Sequence, residues 1–135
     1  MSYSNFMLSL AFERTHKVLL VKFSGNMTND DLHSLDDRVV AFLKNDGPMS
    51  GFIIDCSGVE DFNVPTAEFV RRGQRTSMVD DIDRVYVMPS ADLYGMGRLF
   101  GTYQRMAGKR EPLIVKTMIE AFAALDLVDP TFEPL

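Results

Sequence analysis

The sequence predicts an α/β fold in the order β-β-α-β-α-β-α-β-α. Three observations carry this. Two strand-like stretches near the start are joined only by Arg14-Thr15-His16, a connection so short that it implies an antiparallel hairpin. After Gly25, short apolar runs alternate with stretches whose apolar residues recur at helical spacing, the mark of parallel strands with right-handed crossovers. Phe52-Ile53-Ile54 is a continuous apolar run stopped by Asp55, as in a strand covered on both faces. The expectation is a mostly parallel five-stranded sheet with an antiparallel N-terminal strand and four main helices. One domain spans 1–135, a length that suits a single core.

The elements follow in order. From Met7 to Glu13, Leu8, Leu10 and Phe12 alternate with Ser9, Ala11 and Glu13, the period of a half-buried strand. Lys17 to Phe23 is a second, more apolar strand, ended by Gly25. Thr28 is a good N-cap, followed by Asp30 and Asp31 in a first turn where acids complement the helix dipole. Leu32, Leu35, Val39, Phe42 and Leu43 then form a helical stripe, which Asn45-Asp46-Gly47-Pro48 stops. The stretch from Gly51 to Val70 reads as a central strand, a turn at Ser57-Gly58 and a helix start at Asn63-Val64-Pro65-Thr66, with Pro65 in the first turn. On this helix Glu68 is spaced to pair with Arg72.

Arg84 to Met88 is the next strand, with Val85 and Val87 on one face, and Pro89-Ser90 caps a third helix. Leu93, Met96, Gly97 and Phe100 share one stripe of it. Gly95, Gly97 and Gly101 each cost about 1 kcal/mol relative to alanine in a helix interior, so close packing or a close-approaching partner is expected there. Their spacing inside a helix is not a dinucleotide fingerprint. Leu113 to Val115 is the last strand. Thr117 and Glu120 form a capping box for a helix lined by Met118, Ala121, Phe122 and Leu125, and the residues around Asp129-Pro130 and Glu133-Pro134 close the chain as a tail.

Composition excludes several function classes. The net charge of −5 argues against general nucleic-acid affinity. Acid gathers in Val79 to Asp83, and bases at Arg71, Arg72 and Arg75 and at Arg105, Lys109 and Arg110; these read as solvated helix faces and ends. No apolar run is long enough for a membrane span, and the first ten residues do not form a signal peptide, so the cytoplasm is the expected compartment. Cys56 is alone and reads as a small buried hydrophobe. His16 falls in a turn and His33 on a helix, and neither has a ligand at metal-binding spacing. Asp55, Glu60 and Asp61 are acidic neighbours whose simplest reading is turn chemistry. No catalytic set, metal site or cofactor site is found.

The element order and particular residues resemble the STAS domain, in its SpoIIAA-like, anti-sigma-factor-antagonist branch. The resembling residues are Val21-Lys22-Phe23-Ser24-Gly25 with Thr28, the stretch from Gly51 to Phe62, Arg84-Val85-Tyr86-Val87, Leu93 to Phe100, and Glu120-Ala121 with Ala124-Leu125. The resemblance implies a non-catalytic regulatory module that binds another protein through the loop after the central strand. Glu60, Asp61, Asn63, Val64 and Thr66 are the residues it points to. Antagonists in the family carry Asp then a phosphorylated Ser there. Asn63 and Val64 hold those positions here, and Val64 has no hydroxyl, so no serine phosphoswitch is expected. The alternative is a carrier or sensor of a small apolar or lipid-like ligand, since 9 Met and 10 Phe suit an adaptable apolar pocket. A homodimer is also expected, through Met96, Gly97, Arg98, Phe100, Gly101 and Tyr103, where small residues would let a second backbone approach.

Overall fold

The computed structural model describes residues 7–75, 79 and 81–135. Asp80 of the acidic turn and the first six residues lie outside them. The elements are β1 (Met7–Glu13), β2 (Val18–Thr28), α1 (Asn29–Asn45), β3 (Gly51–Asn63), α2 (Thr66–Gln74), β4 (Asp83–Val87), α3 (Ala91–Met106), β5 (Leu113–Val115), α4 (Met118–Ala124) and β6 (Glu133–Pro134). They form an α/β fold on a mixed sheet of order β5-β4-β3-β2-β1-β6. β2 to β5 run parallel, and β1 is antiparallel to β2. Phe52 to Ile54 therefore lies on an interior strand with Val85 to Val87 beside it.

The sixth strand corrects the expected five. The closing tail returns to the sheet, where Glu133 and Pro134 pair with Phe12 and Ala11 and Leu135 N–H donates to Leu10 C=O at 2.9 Å. A two-residue strand has no period to read, so its only signal is the free edge of β1 that it covers.

The two faces of the sheet separate by the period of two. Leu19, Val21, Phe23, Phe52, Cys56 and Tyr86 look towards α1, α2 and α3. Leu20, Ile53, Val85, Val87 and Val115 look the other way, on to Ala121, Met118 and Phe122 of α4, with Leu127 and Phe132 completing that layer. Phe132 stacks on Phe122 with ring centroids 6.0 Å apart, which ties the tail to α4 as well as to the sheet.

The starts of α1, α3 and α4 behave as their sequences require. Thr28 Oγ1 accepts from Asp31 N–H while Asp31 reaches back to Thr28 N–H, a reciprocal capping box. Ser90 accepts from Leu93 N–H and Thr117 from Glu120 N–H. The hairpin turn is organised by buried Glu13, which accepts from Thr15 N–H, His16 N–H and the His16 ring. One pairing differs from expectation. Glu68 bonds Arg71 rather than Arg72, because Arg72 is turned inward to Asp36 on α1.

Candidate functional site

β3 runs well past the apolar run that began it. Neither Asp55 nor the Ser57-Gly58 turn ends the strand, and β2 likewise continues past Gly25 to Thr28. The extension is made by two register shifts, in each of which β3 carries one residue more than β2. At the first, Asp55 is buried and its Oδ1 accepts from Ser57 N–H at 2.9 Å and Ser57 Oγ at 2.5 Å, so the carboxylate satisfies the backbone that the bulge frees. Gly58 follows. A Cβ there would lie 2.8 Å from Ser24 Cβ and 3.1 Å from Phe23 O, so only glycine lets the strands rejoin. At the second shift Gly25 holds φ 84°, a left-handed conformation that glycine adopts without strain. A local pattern of turn residues was the correct signal for a break in pairing, but the break is a bulge and not a reversal.

The loop residues named from sequence sit on this extension and the turn beyond it. Glu60, Asp61, Asn63 and Thr66 are exposed, and Val64 is buried in the core facing α1 to α3. Asn63 does not cap α2. Its side-chain amide donates to Asn26 Oδ1 across the end of the sheet. Pro65 occupies the N-cap position, and α2 has no side-chain cap. Thr66, the first helical residue, is exposed with its hydroxyl. The segment is therefore a polar strip fixed by strand pairing on one side and by buried Val64 beneath.

The residues expected to form an interface on α3 divide differently. Gly97, Phe100 and Gly101 are buried in this chain's own core. A Cβ on Gly97 would meet Ile114 at 3.1 Å and Met88 Sδ at 3.3 Å, so the absence of a side chain serves packing against the sheet rather than a second molecule. Met96 and Tyr103 are half-buried, and Arg98 is exposed near the Tyr94 ring. Gly95 has nothing within 4 Å, and its choice has no packing reason. Cys56 is buried, and its thiol is pushed up to about 12 by that burial and by neighbouring Asp55. Among the described residues, no group of three His, Cys, Asp or Glu side chains is placed to hold a metal ion.

Among the described residues, two cavities are found on the face covered by α1, α2 and α3. One, of about 70 Å³, is apolar, lined by residues such as Met27, Phe62, Phe69, Met96 and Phe100. The other, of about 250 Å³, lies between α1, α2 and the sheet and carries Asp36, Arg72, Arg75, Arg84, Tyr86 and Gln104 on its walls. Arg84 is buried. One of its Nη groups donates to Gln104 Oε1 at 3.1 Å and to Arg110 C=O, and the other lies 3.4 Å from the Tyr86 hydroxyl. Gln104 in turn donates to Gly73 C=O, tying α3 to α2. The sequence reading missed this group. The signal was there: with Val85 and Val87 on one face of the strand, alternation puts Arg84 with Tyr86 on the other, inward face. Gln104 likewise continues the buried stripe Leu93, Gly97, Phe100 and Gly101 of α3.

No protein-family model matches the sequence, and no curated protein does. Among solved structures, the fold is similar to that of an anti-sigma factor antagonist from Mycobacterium paratuberculosis. The TM-score is 0.58 at 14% identity, over 93% of this chain and 97% of that one. No helix among the described residues is long and apolar enough to cross a membrane. The element order, the sheet order and this likeness together show that the chain has a STAS, SpoIIAA-like fold.

Proposed function

We propose that this chain is a non-catalytic, cytoplasmic regulatory module that docks another protein through the strip Glu60, Asp61, Asn63, Val64 and Thr66. The loop itself supports this best. Four of these side chains are turned to solvent on backbone fixed by strand pairing and a helix start, so binding loses little backbone entropy. The structural neighbour is named for acting on an anti-sigma factor, which is a protein partner. Recognition is constitutive. Val64 has no hydroxyl and is buried, so a kinase has nothing to modify at the position where a phosphate would add charge. The test is a photo-crosslinking residue placed at Glu60 or Thr66 in the native cell, with Arg98 as the comparison site. One partner protein crosslinked from Glu60 and Thr66, and altered by Asn63→Asp without loss of fold, is the expected result. Crosslinks from Arg98 alone would move the surface to α3, and phosphorylated Thr66 controlling the partner would overturn constitutive docking.

The apolar cavity favours a second reading, a carrier or sensor of a small apolar ligand. Its walls are flexible methionines and a chain of rings, with Phe62, Phe69, Phe100 and Tyr86 each within 5.9 Å of the next. Native mass spectrometry of protein from its own cells checks this: a retained small molecule supports the carrier, and a clean mass the docking module.

A further inference from the structure

We infer that the cleft between α1, α2 and the sheet binds a small organic carboxylate, with its anionic group on Arg84 and its hydrocarbon body against β3 and α1. The inference deepens the ligand-carrying reading and rests on it.

The first observation is a buried charge without a counter-ion. Arg84 is 5% exposed, and its acceptors are neutral: an amide oxygen, a carbonyl and, at longer range, a phenol. Among the described residues no carboxylate forms an ion pair with it. Its Nε has no hydrogen-bond partner and is itself closed to solvent, and one Nη has only the 3.4 Å contact with the Tyr86 hydroxyl. A guanidinium this buried is stable when its donors are matched, and an unmatched donor is costly. The second observation is the space. Arg84 lines the cavity of about 250 Å³, whose rim carries exposed Val40 and Arg75, so a small molecule has a way in from solvent. An apolar cavity of roughly 150 Å³ accepts benzene, so this one has room for a body of that size and a carboxylate besides.

Charge and lining then select the ligand class. Among the described residues three arginines and one aspartate line the cleft, a net of two positive charges in a chain of net charge −5. Arg72 and Arg75 are held by Asp36, so their donors are partly used and they act as a positive rim. Arg84 is the inner donor. Phe52, Ile54, Leu35 and Val39 make the rest of the wall apolar. Inorganic phosphate would leave that wall wet, and a neutral apolar ligand would leave Arg84 unmatched. A carboxylate on a short hydrocarbon satisfies both. The adjoining apolar cavity shares Leu35, Ile54, Arg72, Tyr86 and Phe100 with the cleft, which gives the hydrocarbon end its direction.

The experiment titrates the full chain with octanoate, octan-1-ol and inorganic phosphate, reading calorimetry and the Nε–H resonances of arginine by nuclear magnetic resonance. Octanoate is expected to bind about tenfold or more tightly than octanol, as a charge-assisted hydrogen bond requires, and to shift the Arg84 Nε–H signal downfield. Arg84→Lys should weaken octanoate by about tenfold while leaving octanol unchanged, because lysine keeps the charge and loses the fork. Should that variant fold poorly, Arg75→Gln at the exposed rim should still weaken octanoate severalfold. Equal binding of octanoate and octanol with a static Arg84 signal would overturn the carboxylate site and leave an apolar-ligand carrier standing. No binding of either would overturn both, and phosphate matching octanoate would overturn the organic class.

Discussion

Asp36 is the residue on which the rim of the cleft depends. Burial raises its carboxyl, but the Arg72 and Arg75 guanidiniums beside it outweigh that, so it lies below its ordinary value of 3.8. A carboxylate whose folded pKa is depressed stabilises the fold fully above the unfolded pKa, and the contribution is lost as pH falls through the folded value. Asp36→Asn should therefore lower unfolding free energy by about 1 to 3 kcal/mol at pH 7. The gap between variant and wild type should close as the pH drops below 3.8, which denaturant melts at several pH values would show. A gap independent of pH would mean that the pair contributes through packing alone. Cys56 gives a second residue-scale expectation. With its thiol pushed up to about 12, it is protonated at pH 8 as well as buried. A thiol reagent should leave it unlabelled in the native protein and react once denaturant is added. Prompt stoichiometric labelling of the native chain would contradict both its burial and its protonation.

Between elements, the contact of α2 with α3 is close enough to demand glycine. A Cβ on Gly73 would lie 2.8 Å from Tyr103 Cβ, and both positions sit on helices that cannot move apart alone. Gly73→Ala should destabilise by about 1 to 3 kcal/mol through overpacking. It should also disturb the cleft, since Gly73 C=O accepts from Gln104 and Gln104 holds Arg84. Gly95 on α3 is the control. It is exposed and has open space around it, so Gly95→Ala should stabilise by about 0.5 to 1 kcal/mol. Thermal unfolding of the two variants side by side tests the pair. Opposite signs are expected, and a stabilising Gly73→Ala would show that the helices are more loosely packed than the distance implies.

For the molecule as a whole, stability should grade across the sheet. Leu19, Ile53 and Val87 are fully buried on β2, β3 and β4, whereas β6 is exposed and joined to one neighbour only. Hydrogen exchange should be slowest in those three strands and fast at Glu133 and Leu135; equal protection of these two amides and of β3 would refute the gradient. The sequence by itself determined the order of the first five strands and the four helices, and where α1, α3 and α4 begin. Those properties rest on periods of 2 and 3.6 and on caps made within one turn, as at Thr28, Ser90 and Thr117, so neighbouring residues suffice to specify them. The strip of Glu60, Asp61, Asn63 and Thr66 was pointed to by the family resemblance, not by a local period, and its exposure is read from the structure. What the tertiary structure decided were pairings between distant residues. β2 and β3 extend past Gly25 and Asp55 because each supplies the other's backbone partners, and β6 exists because β1 has a free edge. Arg72 finds Asp36, Gln104 finds Arg84, and Gly97 finds Ile114 across gaps that no local period records. A hydrogen bond or a close approach between such residues depends on where the whole sheet places them, and the cleft around Arg84 comes into being only there.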